Sequence, residues 1–384
     1  MLCRHFHFKT DLLSRLNFSP LRMSLSKSYV TWNNKGGVGK TTLTFHMATQ
    51  YALDHSDENV LVIDLCPQAN VSMALIRKKN VSGLTSQGRT ISFYLKNQIN
   101  QVTGSRSPIN PQEFLTQVSF FNHEIPPNVL LLCGDIHLEI VARSLEKTRN
   151  ADAEDDSNWV SLSSCVRCFI EGNFLSPGVT TQRYGNNSKW VVFIDTNPSF
   201  SVYTEIALLA ADRLIIPVNA DDFSREALNA LLYLVYGIAD DQMPYDLKFD
   251  EHMLSFSDRA KTHGLRLPRI HMLVHNRATR YNLRSAQAFN EMAESIRGVL
   301  NKLAETHKTE CFYPKFPSTL NQYCEDMYDF HTAGVVALHL GWPLATLANL
   351  RSLNQVPVLQ TTVQLNRHQI NSHLQCLQNL VNKL

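Results

Sequence analysis

Tyr29-Val30-Thr31-Trp32, Lys35-Gly36-Gly37-Val38-Gly39-Lys40-Thr41-Thr42 and Leu43-Thr44-Phe45-His46-Met47-Ala48 stand close together in the chain as an apolar run, a glycine-rich run and a run with helical spacing. The order predicts a strand, a tight loop and a helix, which together make a cradle for a polyphosphate. Three glycines let successive backbone N–H groups and the helix N-terminus converge on phosphate oxygens. Lys40 is placed to reach the β and γ oxygens, and the Thr41 hydroxyl to serve Mg²⁺. Nucleoside triphosphate binding is therefore the chemistry to expect, with Lys35, Gly36, Gly37, Val38, Gly39, Lys40, Thr41 and Thr42 as the binding loop. The usual pattern, G-x-x-x-x-G-K-[ST], calls for glycine at position 34; here Asn34 stands there and a second lysine, Lys35, follows. Lys35 cannot easily contact its own phosphates as Lys40 does. It is either a solvated surface lysine or a group that reaches the nucleotide of a facing subunit.

With both lysines present, the stretch resembles the K-G-G-x-G-K-[ST] mark of the ParA/MinD family of deviant Walker ATPases. The resemblance implies ATP and Mg²⁺ as cofactors, a homodimer in the ATP state, and Lys35 and Lys40 as catalytic groups, Lys35 acting across the dimer. In such a fold a second strand ends in a carboxylate that orders Mg²⁺. Trp190 to Asp195 has that form, so Asp195 joins Thr41 as the metal pair; Thr196-Asn197-Pro198-Ser199 after it resembles the family's D-T-P-P-S with Asn197 in place of one proline. Asp64-Leu65-Cys66-Pro67-Gln68-Ala69-Asn70 resembles D-x-D-P-Q-G-N, but the second aspartate, credited in the family with positioning the attacking water, is Cys66. A thiol of ordinary pKa near 8.5 is mostly protonated at neutral pH and a weak acceptor. Losing such a group commonly costs about 10² to 10⁴ in rate. Slow hydrolysis follows, with Asp64 as the nearest substitute. Ala210 to Val218 resembles A-A-D-x-V-I-I-P-V, and Asn276 falls where relatives hold the adenine base, although asparagine at a strand end is as readily a turn-former.

The composition leaves room for a large core: 384 residues, 44% apolar and 18% charged, in the range of globular chains. Lys and Arg number 36 against 34 Asp and Glu, a formal +2, so any nucleic-acid surface must be local. Eight scattered cysteines without a secretory signal read as reduced thiols in a cytosol. Cys165-Val166-Arg167-Cys168 has no second pair nearby, and helical burial is favoured over zinc or redox chemistry. No apolar run is long enough for a membrane-spanning helix. Residues 1–27 are expected to be a poorly ordered leader, with Met23 as an alternative start and no room ahead of the loop for a helix-turn-helix domain.

Along the chain, strands are expected at Asn59 to Asp64, Val129 to Cys133, Trp190 to Asp195, Arg213 to Val218 and Ile270 to Asn276. Helices are expected at Leu43 to Ala52, Asn70 to Lys79, from Leu138, Arg225 to Ile238 and Leu283 to Ala304. Residues 80–127, punctuated by glycine and proline, read as a surface excursion with a helix at Ile91 to Ile99, and Asp152 to Asp156 as a solvated turn. Alternating strands and helices predict an α/β protein, a doubly wound, mostly parallel sheet. One enlarged phosphate-loop domain would cover 28–345, and a helical extension 346–384.

Between Arg259 and Lys315 eleven Lys/Arg face four Glu. Within that span Arg277, Arg280 and Arg284 recur at steps of three and four residues, a stripe able to follow DNA phosphates; the alternative is a basic face turned to solvent. The final helix, with Ile370, Leu374, Leu377, Val381 and Leu384 on one side, has few cations on its polar face, which argues for docking on protein and against membrane association. The reading is a ParA-like partition or positioning ATPase that dimerises on Mg-ATP and binds DNA nonspecifically. A ParB-like partner and a cytoplasmic, nucleoid-associated location in a bacterium go with it. The alternatives are an ATP-gated scaffold or regulator of a mobile-element system and a MinD-like positioning ATPase; relatives of the fold that are ligases or amidotransferase synthetases form a different class.

Overall fold

A computed structural model describes residues 24–105, 109–151, 156–173, 189–239, 255–278, 283–307, 309–314, 323–328, 330–350, 352–353, 356–358 and 361–384. The first half holds β1 (Ser24–Thr31), α1 (Lys40–Asp54), β2 (Asn59–Leu65), α2 (Asn70–Ile76), α3 (Lys78–Ser86), α4 (Ile91–Val102), β3 (Leu115–Gln117), β4 (Val129–Leu132), α5 (Leu138–Arg149), α6 (Ser157–Ser163) and α7 (Cys165–Asn173). The second holds β5 (Lys189–Thr196), α8 (Val202–Ala210), β6 (Arg213–Val218), α9 (Asp222–Tyr236), α10 (Phe256–Thr262), β7 (Arg269–Ala278), α11 (Leu283–His307), β8 (Cys324–Tyr328), α12 (His331–Leu340), α13 (Leu344–Ala348), β9 (Val356–Val358), β10 (Thr361–Val363) and α14 (Arg367–Val381).

Eight strands form one sheet in the order β3-β4-β2-β5-β1-β6-β7-β8, parallel except for β3. The inner strands are nearly continuous Val, Ile and Leu because both faces are covered, as parallel sheets require. Alternate residues divide between two cores: Val30, Leu61, Ile63, Val192 and Ile194 pack under α4, α5, α7, α8 and α9. Tyr29, Val60, Val62, Val191 and Phe193 pack under α1, α2, α12 and α14. Register aligns Thr31 and Asp64 with Asp195 from either side. The carboxyl ends of β1, β2 and β5 therefore open at one level, in the crevice where open α/β sheets hold their ligands.

Several expectations are corrected. The helix expected at Asn70 to Lys79 breaks at Arg77, which has φ 74° and divides α2 from α3. Residues 80–127 are no mere excursion, since α4 and β3 bring Ile91, Tyr94, Leu95, Phe114 and Leu115 into the core. Their glycines and prolines punctuate short elements that only tertiary contact stabilises. β8 was not foreseen, because in Cys-Glu-Asp-Met-Tyr only Met327 is fully buried; backbone pairing with β7 makes it a strand. β1 starts at Ser24, inside the span assigned to a leader; the rest of that leader, residues 1–23, lies outside the described residues. Within the segment expected as a helical extension, 346–384, the described helix α14 packs on the domain. Ile370, Leu377, Leu380, Val381 and Leu384 share the core of α1, Tyr29 Oη donates to the Leu384 carbonyl, and a His271 ring nitrogen donates to the Lys383 carbonyl at 3.0 Å. Cys165 is buried on α7, while Cys168 on the same helix is exposed.

Candidate functional site

The glycine-rich loop is fastened to β6 before it turns. Trp32 N–H donates to the Ile215 carbonyl, Asn33 Nδ2 to the Pro217 carbonyl at 2.8 Å, and Asn33 Oδ1 in turn accepts from Lys35 N–H. Gly39 then enters α1 with φ 87°. A Cβ there would lie 2.1 Å from Asn276 Nδ2, so both the backbone angle and the close approach demand glycine. Asn276 Nδ2 donates to the Val38 carbonyl at 2.9 Å. The residue expected at the adenine thus braces the loop from behind.

Lys40 Nζ is buried and donates to the carbonyls of Asn33 (3.0 Å) and Lys35 (2.8 Å). Burial lowers its pKa to about 8, against the opposing pull of Asp195. A buried ammonium that touches only neutral acceptors is poised for an anion. Thr41 Oγ1 donates to Asp195 Oδ2 at 2.8 Å and Thr44 Oγ1 to Oδ1 at 3.2 Å. Asp195 is fully buried, and burial together with Asp64 holds its pKa above the ordinary carboxylate value. A hydroxyl and a carboxylate joined in this way, beside a second carboxylate, suit a hard divalent cation that would relieve the crowding. Gly36 and Gly37 leave open space on the outer side of the loop.

Asp64 has its acceptor positions engaged. Oδ1 accepts from Cys66 N–H at 3.1 Å, and Oδ2 from Ser72 N–H at 3.0 Å and Ser72 Oγ at 2.6 Å. Gly134 closes over it, since a Cβ there would come within 2.7 Å of Asp64 Cγ. The geometry makes Asp64 the anchor of the β2–α2 turn; its carboxylate points into that turn. Cys66 is 4% exposed; burial, then Asp64 and Asp195, push its thiol up to about 12.

Lys35 is not simply solvated. Its ammonium pairs with both carboxylate oxygens of Asp221 and lies 3.2 Å from Ser224 Oγ, with the exposed Phe223 ring 5.7 Å away. Asp221 also caps α9 by accepting from Ser224 N–H at 2.8 Å. Sequence reasoning missed Asp221, Ser224 and Ser72. An Asp followed three residues later by Ser after an apolar strand is a capping signal, and it could have marked the first two. The backbone of Arg277 lies next to the end of β7 and that of Arg284 in the first turn of α11; their side chains, and Arg280 entirely, lie outside the described residues.

The AAA domain family matches residues 26–153 and 186–248. The chain is similar to the chromosome partitioning protein ParA of Myxococcus xanthus, 27% identical over 227 residues, which are 59% of this chain and 63% of that protein. It is 28% identical over 200 residues to ParA of Caulobacter vibrioides, 52% of this chain and 58% of the relative. Each match therefore spans less than two thirds of the relative's length. Among solved structures, apo McdA from Cyanothece superposes with a TM-score of 0.55 at 15% identity, covering 91% of this chain and 99% of that one. A McdA–ATP complex gives a TM-score of 0.50 at 16% identity, over 84% and 90%. At such identities the structural likeness concerns the fold.

Proposed function

We propose that this chain, similar to ParA proteins and matched in part by an AAA domain family, is a ParA/MinD-type P-loop ATPase that binds Mg-ATP in the Lys35–Thr42 loop, dimerises around the nucleotide, binds DNA nonspecifically in that state and acts in partition or positioning. One observation carries the reading: Thr41 and Asp195 meet at 2.8 Å directly beside a buried Lys40 whose hydrogen bonds go to backbone carbonyls. The loop N–H groups and Lys40 would hold the β and γ phosphates, and Thr41 with Asp195 would hold Mg²⁺. When bound, Mg²⁺ supplies charge neutralisation at the phosphoryl oxygens. The deprotonated form of Asp195, disfavoured by burial, is the one that would serve the cation.

Lys35 would leave Asp221 to reach a second subunit's nucleotide. Arg277, Arg280 and Arg284 would contact DNA phosphates, with affinity that falls steeply as salt rises. Hydrolysis would be slow, because the Cys66 thiol stays protonated and the Asp64 carboxylate is committed to Ser72 and Cys66. The buried thiol also favours a second reading, an ATP-gated scaffold or regulator in which turnover is incidental. The two separate on whether a ParB-like partner stimulates hydrolysis many-fold. No described helix is long and apolar enough to cross a membrane.

The test is nucleotide affinity and sedimentation of the purified chain with and without Mg-ATP, followed by duplex DNA binding at two salt concentrations. Tight nucleotide binding, an ATP-dependent dimer and salt-sensitive DNA binding lost in Arg280→Glu are expected. Absence of adenine-nucleotide affinity would overturn the proposal.

A further inference from the structure

Lys27, Arg213, Arg266 and Arg269 converge with Asp212 and Tyr313 on one cavity of about 240 Å³ at the amino ends of the strands. Arg213 and Arg269 are the first residues of β6 and β7, so this site lies a strand's length, roughly 20 Å, from the phosphate loop. Arg213 is buried at 9% exposure. Its guanidinium lies 3.8 Å from the centroid of the Tyr313 ring and 5.3 Å from that of Tyr29, and Nη1 donates to Tyr29 Oη at 2.8 Å and to the Leu384 carbonyl at 3.3 Å. The Arg269 guanidinium sits 4.7 Å from the same Tyr313 ring. Stacking on tyrosine orients both guanidinium planes before any ligand arrives.

Four cations thus face one carboxylate, and that carboxylate is already committed. Asp212 accepts from Arg167 at 2.8 Å through Oδ1 and from Ser28 Oγ at 2.8 Å through Oδ2. Among the described residues, Lys27, Arg266 and Arg269 form no ion pair with an Asp or Glu side chain, while Arg213 reaches the backbone oxygen of Leu384, the last residue of the chain; Lys27 lies 5.9 Å from the Tyr51 ring and feels Glu58 as an opposing charge. Burial and the neighbouring Arg213 depress the Lys27 pKa against the opposing pull of Glu58, the mark of positive charge crowded together.

We propose that this cavity binds a small phosphate-bearing anion, distinct from the triphosphate of the loop, with Lys27 and Arg213 at its depth and Arg266 and Arg269 at its rim. Guanidinium forks match phosphate oxygens in pairs. The small volume of the cavity, about 240 Å³, and the burial of Arg213 favour a free phosphate compound over nucleic acid. Arg266 and Arg269 are exposed, so removing them leaves the core intact.

The probe is inorganic pyrophosphate, titrated calorimetrically without Mg²⁺ into the full-length Lys40→Ala variant, in which the loop is disabled. One-to-one binding is expected, weakened about tenfold or more when Arg266→Ala and Arg269→Ala are added, while those two substitutions in the wild-type chain leave Mg-ATP affinity unchanged. Should Lys40→Ala not fold, the wild-type chain takes two pyrophosphates and the double arginine variant one. No binding in a folded Lys40→Ala chain, equal affinity with and without the rim arginines, or displacement of pyrophosphate by duplex DNA with the same arginine dependence would each overturn the assignment.

Discussion

On the proposed reading, in which Cys66 leaves the attacking water without a base, replacing Cys66 by aspartate should raise the rate of ATP hydrolysis. With its thiol pushed up by burial and by the neighbouring Asp64 and Asp195, Cys66 stays protonated at pH 7 and offers a water molecule almost no basic group. Cys66→Asp supplies a carboxylate at the same backbone position, which the hydrogen bond from Cys66 N–H to Asp64 Oδ1 holds in place. Burial and the neighbouring Asp64 and Asp195 would raise that new carboxylate above its ordinary pKa, toward the neutral range where a general base is most effective. A gain of about 10² to 10⁴ in turnover is expected, equivalent to roughly 3 to 5 kcal/mol of barrier. The nucleotide-free protein should lose about 1 to 3 kcal/mol of stability, because a third acidic group joins two buried ones. The assay is single-turnover phosphate release at saturating Mg-ATP, with Cys66→Ser as the control that adds no base. Turnover of Cys66→Asp within about threefold of wild type, at unchanged Mg-ATP affinity, would refute the argument.

His46 is fully buried on α1 among Phe45 and Phe330, and burial followed by His373 lowers its pKa to about 3. Below its unfolded value near 6.5 the unfolded chain takes up a proton that the native state refuses, so stability falls as pH drops through that window. The loss is about 2 kcal/mol at pH 5, and urea unfolding of His46→Leu should show a pH 7.5 to pH 5 difference smaller by that amount; an unchanged difference would count against it. Gly39→Ala should cost about 2 kcal/mol or more and abolish ATP binding, since the new methyl meets Asn276 at a positive φ; adding Asn276→Ala should restore part of the melting temperature but not the binding. Asp221→Asn keeps the α9 cap while releasing Lys35, and a part-buried pair worth up to about 1 kcal/mol, released once in each subunit, predicts ATP-dependent dimerisation at a concentration lower by up to about thirtyfold in analytical ultracentrifugation. Weaker dimerisation in that variant would contradict the reading of Asp221 as a hold on Lys35.

Much of the architecture was legible because it is local. The apolar runs at β1, β2, β4, β5, β6 and β7 are buried on both faces and bounded by turn residues, and the loop between β1 and α1 is written in closely spaced glycines. What remained hidden depended on partners far along the chain. β8 has one fully buried side chain and exists through its ladder with β7; α4 and β3 became core elements only when they packed on β4 and α5. The last helix looked like an addition because its docking surface is made by α1 and the strands, some 330 residues earlier.

At the site the division is the same. Spacing identified Lys40 and Thr41 as candidates, and the carboxylate expected at a second strand end of a phosphate-loop fold added Asp195, since loop, strand end and helix start are each local features of sequence. That Asp64 anchors the β2–α2 turn through Ser72, that Asn276 braces Val38, and that Lys35 is held by Asp221 across 186 residues were decided by tertiary structure. The physical reason is that residue type and spacing specify which groups a segment can offer, whereas burial, hydrogen-bond partners and charge neighbours arise only when strands distant in the chain are aligned side by side.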